Sequence, residues 1–244
     1  MESSSATLRL PRRVRAAALA AIGGTQVEGE LAWMSWAGTV WRLAGDEGAV
    51  YVKRAAALAG DRDRLEWLQG RLPVPDVVGF FQAAGDDWLV TREVPGVPLY
   101  HRSVDWAPSP PHPVGRWPLP EGHRPGGRGH RPEGTRAARV LGQILRTIHA
   151  TDATDCPFGV RKRGHVLVHG DYCLPNVLVT DGVLTGLIDV GQTGLGDPRQ
   201  DLAAGVWSLQ YNFGPGHGRE FLDAYGAPSM TDQEIERLRR RYGR

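Results

Sequence analysis

The chain has 244 residues, a formal net charge of +2, 41% apolar residues and two cysteines. That length holds one large domain or two closely packed lobes, and the apolar content is ordinary for a folded core. The balanced charge speaks against a nucleic-acid or membrane-surface partner, Cys156 and Cys173 lack the C-x-x-C spacing of zinc and redox sites, and no apolar run approaches the ~18 residues of a membrane span.

Leu10 to Ile22 sets arginines ahead of alanines. Its apolar part is too short for a signal peptide and has no cleavage site, so it reads as a short helix of a cytoplasmic protein with reduced thiols. Trp33, Thr39, Trp41 and Leu43 favour strands, with Met34 to Gly38 as the turn between them and Asp46-Glu47-Gly48 as a second turn. Ala49 to Lys53 is a third strand, with Val50 and Val52 on one face and Tyr51 and Lys53 on the other. Asp61 to Gln69 is helical, Leu65 and Leu68 giving the spacing. Asp87 to Val94 is the next strand and ends at Pro95-Gly96. Trp106 to Gly134 holds eight of the 18 prolines and reads as an irregular segment. Thr135 to Ala150 is a helix whose Val140, Leu141, Ile144, Leu145 and Ile148 share one face. His149, at its end, reads as a packed or capping histidine.

The densest chemistry lies in His169 to Asp189. Val166 to Val168 is a strand, a polar loop follows, and Val177 to Val179 and Leu184 to Ile188 form a hairpin turned at Asp181-Gly182. The hairpin brings Asp189 back beside Asn176, so that Asp171, Asn176 and Asp189 converge at one edge of a small sheet. Short oxygen-bearing side chains of this kind suit Mg²⁺ carried in with phosphates. Asp197 then reads as the N-cap of a helix with Pro198 at its first position, running from Asp201 to Gln210. Gly214 to Gly218 is a turn, since no strand precedes it. Arg219 to Tyr225 is a helix, and Thr231 with Glu234 forms a capping box for the last one. The arginines at 237 and 239–241 read as a solvated helix face. No G-x-x-x-x-G-K-[ST] occurs, which excludes a P-loop nucleotide site.

HGDYCLPN, with Asp171 and Asn176 five residues apart, followed by I-D-V-G, resembles the aminoglycoside phosphotransferases, which look like eukaryotic-type kinases. RLEWLQGRLPVP and Asp155-Cys156-Pro157-Phe158 are similar to stretches of the same family. The resemblance implies an α+β, bilobal protein-kinase-like fold: a β-rich N-lobe over 1–95 that binds nucleotide, and a mainly helical C-lobe over 96–244 with the catalytic-loop hairpin. It implies Asp171 as the residue that orients the acceptor hydroxyl and takes its proton, and Asn176 and Asp189 as ligands of Mg²⁺. It implies Lys53 on nucleotide phosphates, held by an acid six residues before Trp67. That position is Asp61, where the family has Glu, with Asp63 as the alternative. Tyr51 would stack on adenine or pack as a strand aromatic. Ser35 would lie in the loop that covers the nucleotide. The backbone of Thr91 to Glu93 would meet the adenine edge. Asp201 would brace the catalytic loop. The cofactors implied are Mg²⁺ and ATP, with GTP as the other nucleotide, and the partner is a small hydroxylated substrate, an aminoglycoside.

The chain departs from the family at several points. Only ten residues separate Phe158 from His169, where the family carries a helical insertion, and Gly159 to Gly164 is basic. Gln192 stands where many members have Arg, and the chain ends in ERLRRRYGR rather than an acidic, apolar tail. Three readings follow: an aminoglycoside kinase, a kinase of another small hydroxylated metabolite, and a degenerate, non-catalytic kinase-like protein. The intact Asp171, Asn176 and Asp189 speak against the last.

Overall fold

The computed structural model describes residues 10–24, 28–35, 38–100, 132–227 and 229–242, without the side chains of 28–30, 33–35, 132, 241 and 242. The chain divides into two compact units, and among the described residues the first holds 10–62 and 75–93, the second 63–74 and 94–242.

The first unit is a five-stranded antiparallel sheet of β1 (Glu28–Ser35), β2 (Gly38–Gly45), β3 (Gly48–Ala55), β4 (Val77–Ala83) and β5 (Asp86–Arg92), in the order β1-β2-β3-β5-β4. Helix α1 (Arg12–Ile22) packs on one face. Val14, Ala18, Ala21 and Ile22 from the helix meet Leu43, Val50, Val52, Trp88 and Val90 from the strands in one core cluster. Trp41 stacks on Trp88 at 5.9 Å between ring centroids. In β3 the alternation reads as the sequence implies: Val50 and Val52 are fully buried, while Tyr51 and Lys53 are half-buried. Met34 and Ser35, read from the sequence as part of the first turn, belong to β1, where they pair with Thr39 and Gly38; residues 36 and 37 lie outside the described residues. Strand β4 falls where the sequence offered only a connection. Helix α2 (Ala59–Leu68) follows β3 and carries Asp61 in its first turn.

The second unit is mainly helical. It contains α3 (Pro132–His149), α4 (Arg199–Phe213), α5 (Gly218–Tyr225) and α6 (Asp232–Tyr242). Helix α3 packs on α5 and α4 on α6. The apolar face of α3 is buried through Leu141, Ile144, Leu145 and Ile148, beside Phe221 and Leu222 of α5. Gly142 permits this close approach: a Cβ there would lie 2.3 Å from the Phe221 carbonyl oxygen. The helix begins at Pro132, inside the stretch read from the sequence as irregular; 101–131 lie outside the described residues. Two small antiparallel sheets complete the unit. One joins β6 (Val97–Pro98), β8 (Val177–Thr180) and β9 (Val183–Leu187); the other pairs β7 (Val166–Val168) with β10 (Gly194–Gly196). The Thr231–Glu234 capping box forms at the start of α6, with each residue's backbone N–H donated to the other's side chain. No helix among the described residues is long and apolar enough to cross a membrane.

Candidate active site

The loop after β7 is held by its own side chains. His169 is buried and sets Nε2 at 3.1 Å from the Ile188 carbonyl oxygen. That oxygen only accepts, so Nε2 carries the proton and Nδ1 receives the Asp171 N–H at 3.3 Å. Gly170 has φ +91°, and a Cβ there would lie 2.6 Å from the Gln192 carbonyl oxygen, so glycine is required. Tyr172 is fully buried and donates its hydroxyl to the Leu141 carbonyl at 2.8 Å, pinning the loop to α3. Leu174 donates its N–H to Ser208 Oγ at 3.0 Å, pinning it to α4.

These anchors present Asp171 half-buried, with both carboxylate oxygens engaged. Asn176, at the end of a single 3-10 turn (Leu174–Asn176), donates Nδ2 to the Asp171 carbonyl at 2.9 Å and to Oδ2 at 3.1 Å. Cys173 directs its thiol at Oδ1, 3.4 Å away. With its amide nitrogen committed to Asp171, Asn176 has Oδ1 left as its acceptor. The hairpin of β8 and β9 turns at Asp181 (φ +52°) and Gly182 (φ +78°), the conformation a D-G pair favours. Ile188 N–H then bonds the Asn176 carbonyl at 3.1 Å, which sets Asp189 next to Asn176 along the backbone. Asp189 itself is exposed and holds φ +56°.

Asp171, Asn176 and Asp189 are thus gathered on one loop-and-hairpin framework. Among the described residues no group of three or more His, Cys, Asp or Glu is placed to hold a metal. A carboxylate and an amide oxygen form the kind of sparse, hard-oxygen set that suits Mg²⁺ arriving with phosphates.

In the first unit, Lys53 Nζ lies 2.8 Å from Asp61 Oδ2, with both side chains about a quarter exposed. Asp87 holds the start of α2: buried, it accepts the Leu58 N–H at 2.8 Å and Gln82 Nε2 at 3.0 Å. The Leu58 amide is the main reason its carboxyl lies below the usual range. Tyr51 donates its hydroxyl to Glu93 at 3.2 Å, and burial, with Glu93 beside it, pushes the phenol up to about 12. Arg42, opposite Tyr51 on β2, grips Glu93 with two bonds of 2.6 and 2.9 Å and holds its carboxyl below the ordinary value.

The backbone read from the sequence as meeting adenine is partly committed inside the sheet. Arg92 N–H goes to the Asp76 carbonyl and Glu93 N–H to the Ala49 carbonyl, while Thr91 is flanked by Tyr51 and Val77. Ser35 ends β1, and its side chain lies outside the described residues. Arg42, Asp87 and Cys173 were not anticipated. Arg42 had a signal in the strand alternation that sets it across from Tyr51, and Cys173 in its position two residues after Asp171.

A family model described as "Phosphotransferase enzyme family" matches residues 160–240. An aminoglycoside 3'-phosphotransferase of Streptomyces fradiae is 27% identical over 234 residues, covering 73% of this chain and 76% of the relative. The crystal structure of an aminoglycoside-3'-phosphotransferase of type VIII superposes with a TM-score of 0.65 at 26% identity, covering 94% of this chain and 98% of the other. A streptomycin–ATP ternary complex of a 2"-phosphotransferase shares the fold with a TM-score of 0.57 at 14% identity, over 96% and 89% of the two chains. The fold is that of the kinase-like phosphotransferases. Among proteins of that fold the chain is similar to the aminoglycoside phosphotransferases, the family its HGDYCLPN and IDVG motifs resemble.

Proposed function

We propose that this chain transfers the γ-phosphoryl group of ATP to a hydroxyl of an aminoglycoside, and so confers resistance to the drug. The observation that carries this reading is the paired geometry of Asp171 and Asn176, with Nδ2 3.1 Å from the carboxylate, in a chain related to aminoglycoside 3'-phosphotransferases. ATP as donor is supported by the structural neighbour solved with ATP and streptomycin.

Phosphoryl transfer asks for positioning and charge stabilisation more than for covalent chemistry. Asp171 would accept a hydrogen bond from the acceptor hydroxyl, aim its oxygen in line with the γ-phosphorus, and take the proton late. Asn176 and Cys173 keep the carboxylate from rotating. Lys53, held by Asp61, would neutralise charge on the nucleotide phosphates, and Tyr51 would offer its ring to the adenine. Asp189 and the Oδ1 of Asn176 would hold Mg²⁺, which when bound supplies charge neutralisation on the phosphates. The protein would work in the cytoplasm, where ATP is made and where its two buried, free cysteines stay reduced.

The test is ADP release by purified protein with Mg-ATP over a panel of aminoglycosides, with Asp171→Ala as control. Turnover with at least one drug that disappears in the variant supports the reading. ATP binding with no turnover of any drug overturns the assignment of the acceptor.

A further inference from the structure

The loop that carries Asp171 is held from behind by a carboxylate, and that carboxylate is itself held. Asp201 of α4 is fully buried and accepts the N–H of His169 at 2.7 Å and of Gly170 at 2.9 Å, one on each oxygen. On Oδ2 it also meets Nε2 of His149, from the end of α3, at 3.2 Å. The His149 side chain is 5% exposed. Its other nitrogen, Nδ1, lies 2.9 Å from the Tyr225 hydroxyl at the end of α5, and the two rings meet edge to face, 5.4 Å apart at 84°.

The direction of these bonds follows from the chemistry of the groups. A carboxylate only accepts, so His149 Nε2 carries the proton. Nδ1 faces the Tyr225 hydroxyl, a group that can both donate and accept and so partners that nitrogen whichever way the bond runs. The hydroxyl keeps its proton readily, because burial, and Asp201 nearby, raise its pKa. Its position is fixed by the helix end, where Gly226 in the left-handed conformation donates its N–H to the carbonyls of Leu222 and Asp223. The hydrogen bonds therefore run in series from Tyr225 through His149 to Asp201, and the amides of the catalytic loop close on the same carboxylate.

We propose that Tyr225 and His149 are positioning residues for phosphoryl transfer: their relay fixes the rotamer of Asp201, and through the His169 and Gly170 amides it fixes the placement of Asp171. The proposal rests on the phosphotransferase reading for its rate effects, but not for its structural ones. Neither residue touches a reacting group, so the relay acts on the rate of transfer rather than on substrate affinity. Tyr225 also ties α5, which supplies no residue to the loop, to the chemistry.

The test compares Tyr225→Phe, His149→Gln, His149→Phe and the Tyr225→Phe/His149→Phe double variant by kcat, KM, thermal midpoint and amide hydrogen exchange. Tyr225→Phe removes one hydroxyl and no packing, so the fold should survive it. The relay predicts that kcat falls about five- to tenfold, the worth of one hydrogen bond, with both KM values unchanged. It predicts faster exchange confined to the His169 and Gly170 amides. His149→Gln, whose amide can still donate to Asp201, should be closer to wild type than His149→Phe, and the double variant should be no worse than His149→Phe alone. Effects on the thermal midpoint only, additive losses, or unchanged loop exchange would overturn the proposal. An inactive parent protein would instead count against the phosphotransferase reading, and the exchange data would still decide the relay.

Discussion

Asp189 combines two roles that pull on different properties of one side chain. Its carboxylate is the proposed cation ligand, and its backbone sits at φ +56°, a region that aspartate and asparagine tolerate better than alanine. Asp189→Asn should therefore keep the fold while losing the charge. Asp189→Ala should lose the charge and in addition cost about 1 kcal/mol of stability. Urea unfolding of the two variants separates the terms; equal stabilities would mean that the left-handed backbone is not strained there. Asp171 carries a different load. Its removal should leave nucleotide affinity unchanged and lower kcat by about two to four orders of magnitude, the range of a positioned general base. Steady-state kinetics with varied ATP reads both quantities.

At the scale of elements, the short strands and tight turns serve to hold charged groups in fixed pairs. Asp87 sits at the start of α2, the helix that carries Asp61 to Lys53. Asp87→Ala should loosen the first turn of α2 and raise KM for ATP with less effect on kcat, since Lys53 would lose its fixed partner.

The Arg42–Glu93 pair joins β2 to the end of β5, and here the sign with pH is definite. The Arg42 guanidinium lowers the folded pKa of Glu93, so the pair stabilises fully above the unfolded glutamate value of about 4.3 and its contribution is lost as pH falls through the folded value. Both side chains are a third exposed, so the gain is at most about 1 kcal/mol. Unfolding free energies of Arg42→Ala and wild type, measured against pH, should differ at neutral pH and converge in acid. A gap that persists in acid would mean the arginine acts by packing.

Several of these elements were legible in the sequence because their signals are local. The alternation of Val50 and Val52 with Tyr51 and Lys53 marks β3, and Asp181-Gly182 marks the hairpin. Others depend on partners. Strand β4 (Val77–Ala83) has Gly79 in its middle and no clean alternation, and it exists because β5 offers it an edge. Strand β10 (Gly194–Gly196) is two glycines around a leucine and is a strand only because β7 pairs with it. Helix α3 starts at Pro132, because proline is tolerated in a first turn, where its missing N–H has no partner to lose.

Across the whole molecule, the candidate residues that lie within one short run were readable from their spacing, and those that come from distant segments were reached through the resemblance or not at all. His169 to Asp189 encloses Asp171, Asn176 and Asp189 in one motif, so spacing alone gathered them. Tyr225, His149 and Asp201 are far apart in sequence and meet only through the packing of α3, α4 and α5. Asp201 was implied by the family resemblance as a brace of the catalytic loop, whereas nothing local marked Tyr225. The sparse oxygen set also has a consequence for the protein as a whole. Among the described residues no group of three or more His, Cys, Asp or Glu could hold a metal ion, and the proposed Mg²⁺ would arrive with the nucleotide phosphates. Chelating magnesium should thus stop turnover and leave the unfolding midpoint where it was; a large drop in that midpoint would indicate a resident structural ion.

The central claim is that phosphate passes from ATP to an aminoglycoside hydroxyl under the direction of Asp171. Mass spectrometry of the drug after incubation with protein, magnesium and ATP tests it most directly. The account predicts a drug heavier by one phosphoryl group with wild type and an unchanged drug with Asp171→Ala. An unmodified drug in both reactions, or equal phosphorylation by the two proteins, would contradict it.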